Sequence, residues 1–306
     1  MKESPPVSKT SDAPLSGTAG VLASVITFGR MVKFSHTLFA MPFALAAAAI
    51  AARGHGVTLG RLAAIVIAMV GARTAAMGFN RIVDRHIDAR NPRTAGRELP
   101  ARKVSLAAAT VLAAASIAVF IAAAAWLGPL CLTLSPVVLV LLLGYSYTKR
   151  FTWLCHLFLG VAIAAGPGGA WIAVTGDVSA PALWLMLAVA TWIGGFDILY
   201  ALADRDFDRK EGLHSIPARF GVRGALAVSA ALHAVTVAAL VSLARAAHLG
   251  PIYLAGVAAV TAILIWEHSI VRPSDLSRLD VAFFNLNGYV SVVFLAATLG
   301  DVLTSS

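Results

Sequence analysis

Residues 59–94 read L-G-R-L-A-A-I-V-I-A-M-V-G-A-R-T-A-A-M-G-F-N-R-I-V-D-R-H-I-D-A-R-N-P-R-T, and the stretch changes character near its middle. Residues 62–79 carry one charged side chain, Arg73. A run of that kind crosses a hydrocarbon core of roughly 30 Å as a single helix. Residues 80–94 then bring together two aspartates, a histidine and four arginines. The span therefore ends in a concentrated group of charges, which sets both the fold class and the question of function.

Working outward, the rest of the chain repeats the first half of this pattern. It is 59% hydrophobic and 13% charged over 306 residues, with a mean hydropathy of +0.82. A soluble domain is about 45–50% apolar and about 25% charged. Apolar segments recur near 34–52, 59–82, 104–126, 129–147, 153–175, 181–200, 222–245, 250–270 and 281–300. The expectation is an all-α polytopic membrane protein, with nine transmembrane helices in a bundle around a central cavity. Residues 26–306 would form this domain. Residues 1–25 begin with the Pro- and Ser-rich M-K-E-S-P-P-V-S-K-T-S-D-A-P-L-S-G and lack the apolar stretch of a secretory signal after Lys2. They read as a disordered cytoplasmic tail.

The basic residues orient the bundle. Of 24 Lys and Arg, all but Arg53, Arg61 and Arg245 fall on the side that holds the N-terminus and the loops after spans two, four, six and eight. Such an asymmetry puts that side in the cytoplasm and, with nine spans, the C-terminus outside a cell (inner) membrane. The net charge of +9 then belongs to cytoplasmic loops rather than to a nucleic-acid surface. The only two cysteines, Cys131 and Cys155, lie in or beside apolar runs and read as buried structural thiols. Trp126, Trp153, Trp171 and Trp184 read as interfacial anchors, and Asn287 as a helix–helix hydrogen bond within the last span.

Six of the fifteen acidic residues fall in two short runs, Asp84 and Asp88, then Asp197, Asp204, Asp206 and Asp208. Each run closes a span at its cytoplasmic end. A spacing of four places Asn80, Asp84 and Asp88 on one helix face, and Arg73, seven residues earlier, on the same stripe. Asp204 and Asp208 repeat the spacing. Two like-charged stripes need positive charge to offset their repulsion. Three readings stand open at this point: solvated helix ends, an ion or proton pathway, or sites for Mg²⁺, which takes one or two carboxylates together with substrate phosphates.

The motifs around these runs resemble the UbiA superfamily of intramembrane prenyltransferases. N-x-x-x-D-x-x-x-D (Asn80, Asp84, Asp88) is followed about 120 residues later by D-x-x-x-D (Asp204, Asp208). N-P-R-T-A-G-R-E-L-P at 91–100, Y-S-Y-T-K at 145–149, K-F-S-H-T-L-F-A-M-P-F-A-L at 33–45 and G-L-H-S-I-P at 212–217 are similar to family segments. The resemblance implies Mg²⁺-dependent transfer of a polyprenyl group from polyprenyl diphosphate to a hydroxy-aromatic acid. It implies one Mg²⁺ on Asn80, Asp84 and Asp88, a second on Asp204 and Asp208, and a diphosphate clamp of Arg93, Arg97, Tyr145 and Lys149. An anionic acceptor needs a cation; Arg73 and Lys33 are candidates, with His36 beside them. Asp197 would polarise or deprotonate the acceptor's phenol, or else pair with Arg73. The acceptor would be 4-hydroxybenzoate, for ubiquinone, or a bicyclic naphthoate, for menaquinone. Membrane lipid would surround the tunnel for the isoprenoid tail. A phosphotransferase of CDP-alcohols is disfavoured, because A-R-N-P-R-T stands where D-G-x-x-A-R would be needed. A transporter is disfavoured, because such proteins bury their charges near the midplane.

Overall fold

The computed structural model describes residues 40–305, together with Thr27, Gly29 and Met31. Among the described residues there is no strand, only one isolated bridge between Arg272 and Asp275. The helices are α1 (Met41–His55), α2 (Leu59–Arg90), α3 (Leu106–Leu127), α4 (Pro129–Thr148), α5 (Cys155–Thr175) and α6 (Ala180–Ala201). A 3₁₀ turn, Leu202–Asp204, carries α6 into the short α7 (Arg205–Lys210). Then come α8 (Ile216–Ala246), α9 (Pro251–Ile270), a π-helical turn (Val281–Leu286) and α10 (Asn287–Thr304).

Local chemistry sets the ends of these helices. Thr58, Ser105 and Ser215 accept hydrogen bonds from the amides of Arg61, Ala108 and Ala218, satisfying donors that a helix start leaves open. Proline opens α4 and α9, where its missing N–H costs nothing. Gly221 takes φ +68° and kinks α8 near its start.

Eight helical segments among the described residues are long and apolar enough to cross a membrane: α2 to α5, α6 continued through α7, α8, α9, and the π-helical turn continued into α10. Helix α1 follows the first expected span, whose start at 34–39 lies outside the described residues, as does the tail expected over 1–25. The molecule is an integral membrane protein. Two boundaries differ from expectation. Helix α2 runs on to Arg90, past the expected end of the apolar span near 82, and so carries the Asn80, Asp84 and Asp88 face that the spacing anticipates; its charged last turns find cations on neighbouring elements. Helix α8 begins at Ile216 rather than 222, where Ser215 supplies the cap.

The most buried span is the one that begins with α6, which packs chiefly against α8 and α5. With little hydrophobic force between helices in lipid, close approach of small residues carries much of this packing. A Cβ on Gly160 of α5 would fall 2.1 Å from the Ala190 carbonyl of α6, and one on Gly195 would fall 2.4 Å from the His233 ring of α8.

Across that seam lies a buried polar cluster. Trp192 Nε1 donates to Asn287 Oδ1 at 2.7 Å, and Asn287 Nδ2 donates to Glu267 Oε1 at 2.8 Å. His233 Nδ1 lies 3.0 Å from His268 Nε2 and 3.6 Å from Glu267 Oε2. Asn287 Nδ2 also reaches the Ala282 carbonyl at 3.0 Å, a group that the π-helical turn leaves one residue out of α-helical register. The expected hydrogen bond of Asn287 is thus part of a network joining α6, α8, α9 and α10. Trp126 and Trp184 are exposed, as anchors would be, but Trp171 is buried in the core and is no anchor. Cys131 and Cys155 are free thiols, half-buried rather than buried.

Candidate active site

The C-terminal ends of α2, α4 and α6 and the N-terminal ends of α5 and α8 meet at one end of the bundle, beneath the loop over residues 91–105. There they enclose a polar cavity of about 280 Å³. Its wall includes every described residue of the sequence-derived site: Arg73, Asn80, Asp84, Asp88, Arg93, Arg97, Tyr145, Lys149, Asp197, Asp204 and Asp208. Lys33 and His36 lie outside the described residues.

Helical spacing works as anticipated. Asn80 Nδ2 donates to Asp84 Oδ2 at 3.0 Å, one turn on. The positive charge the two stripes require comes from arginines. Arg150 Nη2 donates to Asp84 Oδ1 at 3.1 Å, and Arg97 Nη1 to Asp88 Oδ1 at 2.7 Å. Arg93 forks onto Asp204, with Nε 2.9 Å from Oδ1 and Nη2 on Oδ2, while its Nη1 donates to the Tyr200 hydroxyl at 2.7 Å. Such planar two-point contacts are the strongest of the charge-assisted bonds. Burial alone would depress the Arg93 guanidinium, but Asp204 and Tyr200 outweigh it and hold it above the usual arginine value. Asp206, by contrast, is exposed and paired with its neighbour Arg205, outside the cavity.

These oxygens suit a hard cation. Asp208 Oδ1 is buried and has no hydrogen-bond partner among the described residues, and Asp88 Oδ2 has no hydrogen bond but only the buried Arg81 guanidinium 3.9 Å away; a buried oxygen without a hydrogen bond is costly unless something positive completes it. Asn80 uses its amide nitrogen on Asp84 and Ser146, which leaves Oδ1 as its donor atom for a metal. No group of three or more His, Cys, Asp or Glu among the described residues is placed to hold a metal ion. Mg²⁺ usually takes only one or two carboxylates and fills its shell with water and substrate phosphates.

A second cavity, of about 370 Å³ and lined almost wholly by apolar side chains of α2 to α6, adjoins the first. Ala40, Arg73, Met77, Tyr145, Leu159 and Ile163 line both. Arg73 is therefore placed at the junction, and its Nε is buried with no partner among the described residues.

Asp197 corrects one expectation. Its hydrogen-bond partner is not Arg73 but His156, whose Nδ1 lies 2.7 Å from Asp197 Oδ2. Direct packing of α5 on α6 brings these two residues together. Sequence reasoning also passed over Arg150, Tyr200 and Asn91, whose Nδ2 donates to Asp204 Oδ1 at 2.9 Å. Arg150 adjoins Lys149, and His156 is a polar residue at the same end of its span as the aspartates. Both signals were present without a partner to give them meaning.

The model of the UbiA prenyltransferase family matches residues 40–289. The 4-hydroxybenzoate octaprenyltransferase of Aromatoleum aromaticum is 33% identical over 241 residues, 78% of this chain and 82% of that protein. The enzyme of the same name from Vibrio parahaemolyticus is 31% identical over 242 residues, 78% of this chain and 83% of its own. The apo structure of a UbiA homolog from Aeropyrum pernix superimposes with a TM-score of 0.80 at 37% identity, covering 87% of this chain and 98% of that one. A UbiA homolog from Archaeoglobus fulgidus bound to GPP and Mg²⁺ shares the fold, with a TM-score of 0.67 at 18% identity over 90% of this chain and 99% of the other.

Proposed function

We propose a function from one premise: the chain belongs to the UbiA prenyltransferase family. It is a polyprenyltransferase that moves a polyprenyl group from polyprenyl diphosphate to the ring of 4-hydroxybenzoate, releasing diphosphate. The observation that carries this reading is the pair of joined cavities. One is apolar, as an isoprenoid tail requires; the other is ringed by two aspartate motifs and by arginines.

In this reading Asn80, Asp84 and Asp88 hold one Mg²⁺ and Asp204 with Asp208 a second, supplying positive charge to the departing diphosphate when bound. Arg93, Arg97, Tyr145 and Lys149 bind the diphosphate oxygens. Arg73, between the cavities, binds the acceptor carboxylate with Lys33 and His36, and Asp197 takes the phenol proton. The ring carbon beside the phenol oxygen then attacks the prenyl carbon as its bond to the diphosphate breaks. The apolar walls keep water from the allylic cation. Residues 26–306 act as one membrane domain. The active-site end and the N-terminal tail over 1–25 face the cytoplasm and the C-terminus lies outside the cell membrane, a reading supported by the distribution of Lys and Arg.

Purified chain incubated with Mg²⁺, a polyprenyl diphosphate and 4-hydroxybenzoate is expected to release diphosphate and form prenylated acid, identified by mass. A bicyclic hydroxynaphthoate in the same tube serves as competitor. Preferential prenylation of the naphthoate would overturn the acceptor, and no prenylated product from either acid would overturn the reaction.

A further inference from the structure

His156 occupies the first turn of α5 and is 4% exposed. It lines the polar cavity together with Asp197 of α6, whose side chain is 24% exposed. The contact between them is short, 2.7 Å from Nδ1 to Oδ2, and directional. An ionised carboxylate only accepts hydrogen bonds, so Nδ1 must carry the proton that it donates. Asp197 Oδ2 is thereby fixed against α5. Its other oxygen, Oδ1, has no protein partner among the described residues and is not buried. Asp197 is the one aspartate of the cavity outside the two metal motifs, and it faces an imidazole where Asp84, Asp88 and Asp204 face guanidinium groups.

We infer that His156 is a positioning residue for prenyl transfer, holding Asp197 with Oδ1 turned to the cavity so that it receives the acceptor's hydroxyl proton. The inference rests on the transferase reading above. The O–H bond of the acceptor breaks as an O–H bond forms on Asp197. The ring carbon then makes its bond to the prenyl carbon, and the electron pair of the breaking C–O bond leaves with the diphosphate. When the ring C–H gives up its proton to water, Asp197 returns its own proton to the ring oxygen. One proton is released in total, and the carboxylate is restored. An imidazole suits this task better than a guanidinium. Its single donated bond orients the carboxylate, whereas a two-point arginine contact would occupy both oxygens.

The test compares wild type, His156→Ala, His156→Asn, Asp197→Asn and the double variant His156→Ala with Asp197→Asn. Each is assayed for prenylated product with 4-hydroxybenzoate and with a fluorinated 4-hydroxybenzoate of more acidic hydroxyl, and each is melted in detergent. The Ala variant is expected to lose kcat by roughly 10- to 100-fold, the scale of a misplaced reacting group, with the KM for polyprenyl diphosphate unchanged. Asparagine, whose Nδ2 can stand in for the Nδ1 donor, should restore most of the rate. The loss should shrink with the fluorinated acceptor, and the double variant should be no slower than Asp197→Asn alone. Full turnover by His156→Ala beside an active wild type overturns this inference and leaves the transferase reading standing. Equal loss with both acceptors and no recovery in His156→Asn overturns it too. Absence of product from the wild type overturns the transferase reading and this inference together.

Discussion

At the cavity end of the bundle, aspartates from α2 and α6 to α7 face arginines and an open space. Across α6, Glu267 faces an amide and an imidazole, and neither it nor Asn287, His233 or His268 lines either cavity. Both clusters are buried and both carry carboxylates. In each cluster a buried carboxylate oxygen lacks a hydrogen bond, Asp88 Oδ2 and Asp208 Oδ1 in the first and Glu267 Oε2 in the second, but only those of the first belong to residues that line a cavity. The other cluster makes internal bonds between four helices and reaches no ligand space. A buried carboxylate paired with solvent-reaching arginines is therefore suited to exchange partners, and one tied to a tryptophan-bound amide is suited to hold helices in place.

The largest effect should come from Asp84→Ala or Asp204→Ala. Turnover should fall by on the order of 10³-fold or more, as for loss of a group acting on the leaving charge, with little change in melting temperature. Arg150 and Arg93 are partly exposed and can turn to solvent once their partner is gone. Residual activity in both variants, or a collapse in melting temperature, would break the contrast between the clusters. Adding a chelator to wild type should reproduce the loss, and restoring Mg²⁺ should reverse it.

Arg73→Leu sharpens the contrast at the cavity junction. The KM for 4-hydroxybenzoate should rise roughly 10- to 100-fold, the value of a charge-assisted hydrogen bond of about 1.5–3 kcal/mol, while the KM for polyprenyl diphosphate stays put. A parallel rise in both would move Arg73 from the acceptor to the tunnel.

On the other side of α6, Asn287→Ala strands the Trp192 N–H and Glu267 Oε1. A cost of about 1–3 kcal/mol in stability is expected, read as a lower melting temperature in detergent, with turnover per folded molecule near wild type. Reduced turnover at unchanged stability would tie this cluster to the reaction. The smallest effect should be Thr236→Val, which removes the 2.8 Å hydroxyl contact to Thr191 along the same seam. Hydrogen bonds of this kind in membrane bundles average about 0.6 kcal/mol, so a shift of a degree or two and full activity are expected.

Much of the site was legible because helical periodicity is local. Four-residue spacing alone put Asn80, Asp84 and Asp88 on one face, and recurrence near 204–208 exposed the second motif. Length and apolarity located the spans from 59 onward for the same reason. What the spacing did not carry was the choice of partner. Nothing near Asp84 in the chain names Arg150, 66 positions away, and nothing near Asp197 names His156, 41 positions away.

The sequence by itself therefore determined which faces carry charge and which end of the bundle they occupy. These follow from side-chain type and from rise and turn per residue. Tertiary structure alone decided that Arg73 stands where the two cavities join and that Asp197 leans on a histidine. It also decided that Glu267, Asn287 and His233 close on one another away from any cavity. Each of these depends on which helices touch, and in lipid that is settled by packing of small residues such as Gly160 and Gly195, not by the polar residues whose partners it selects.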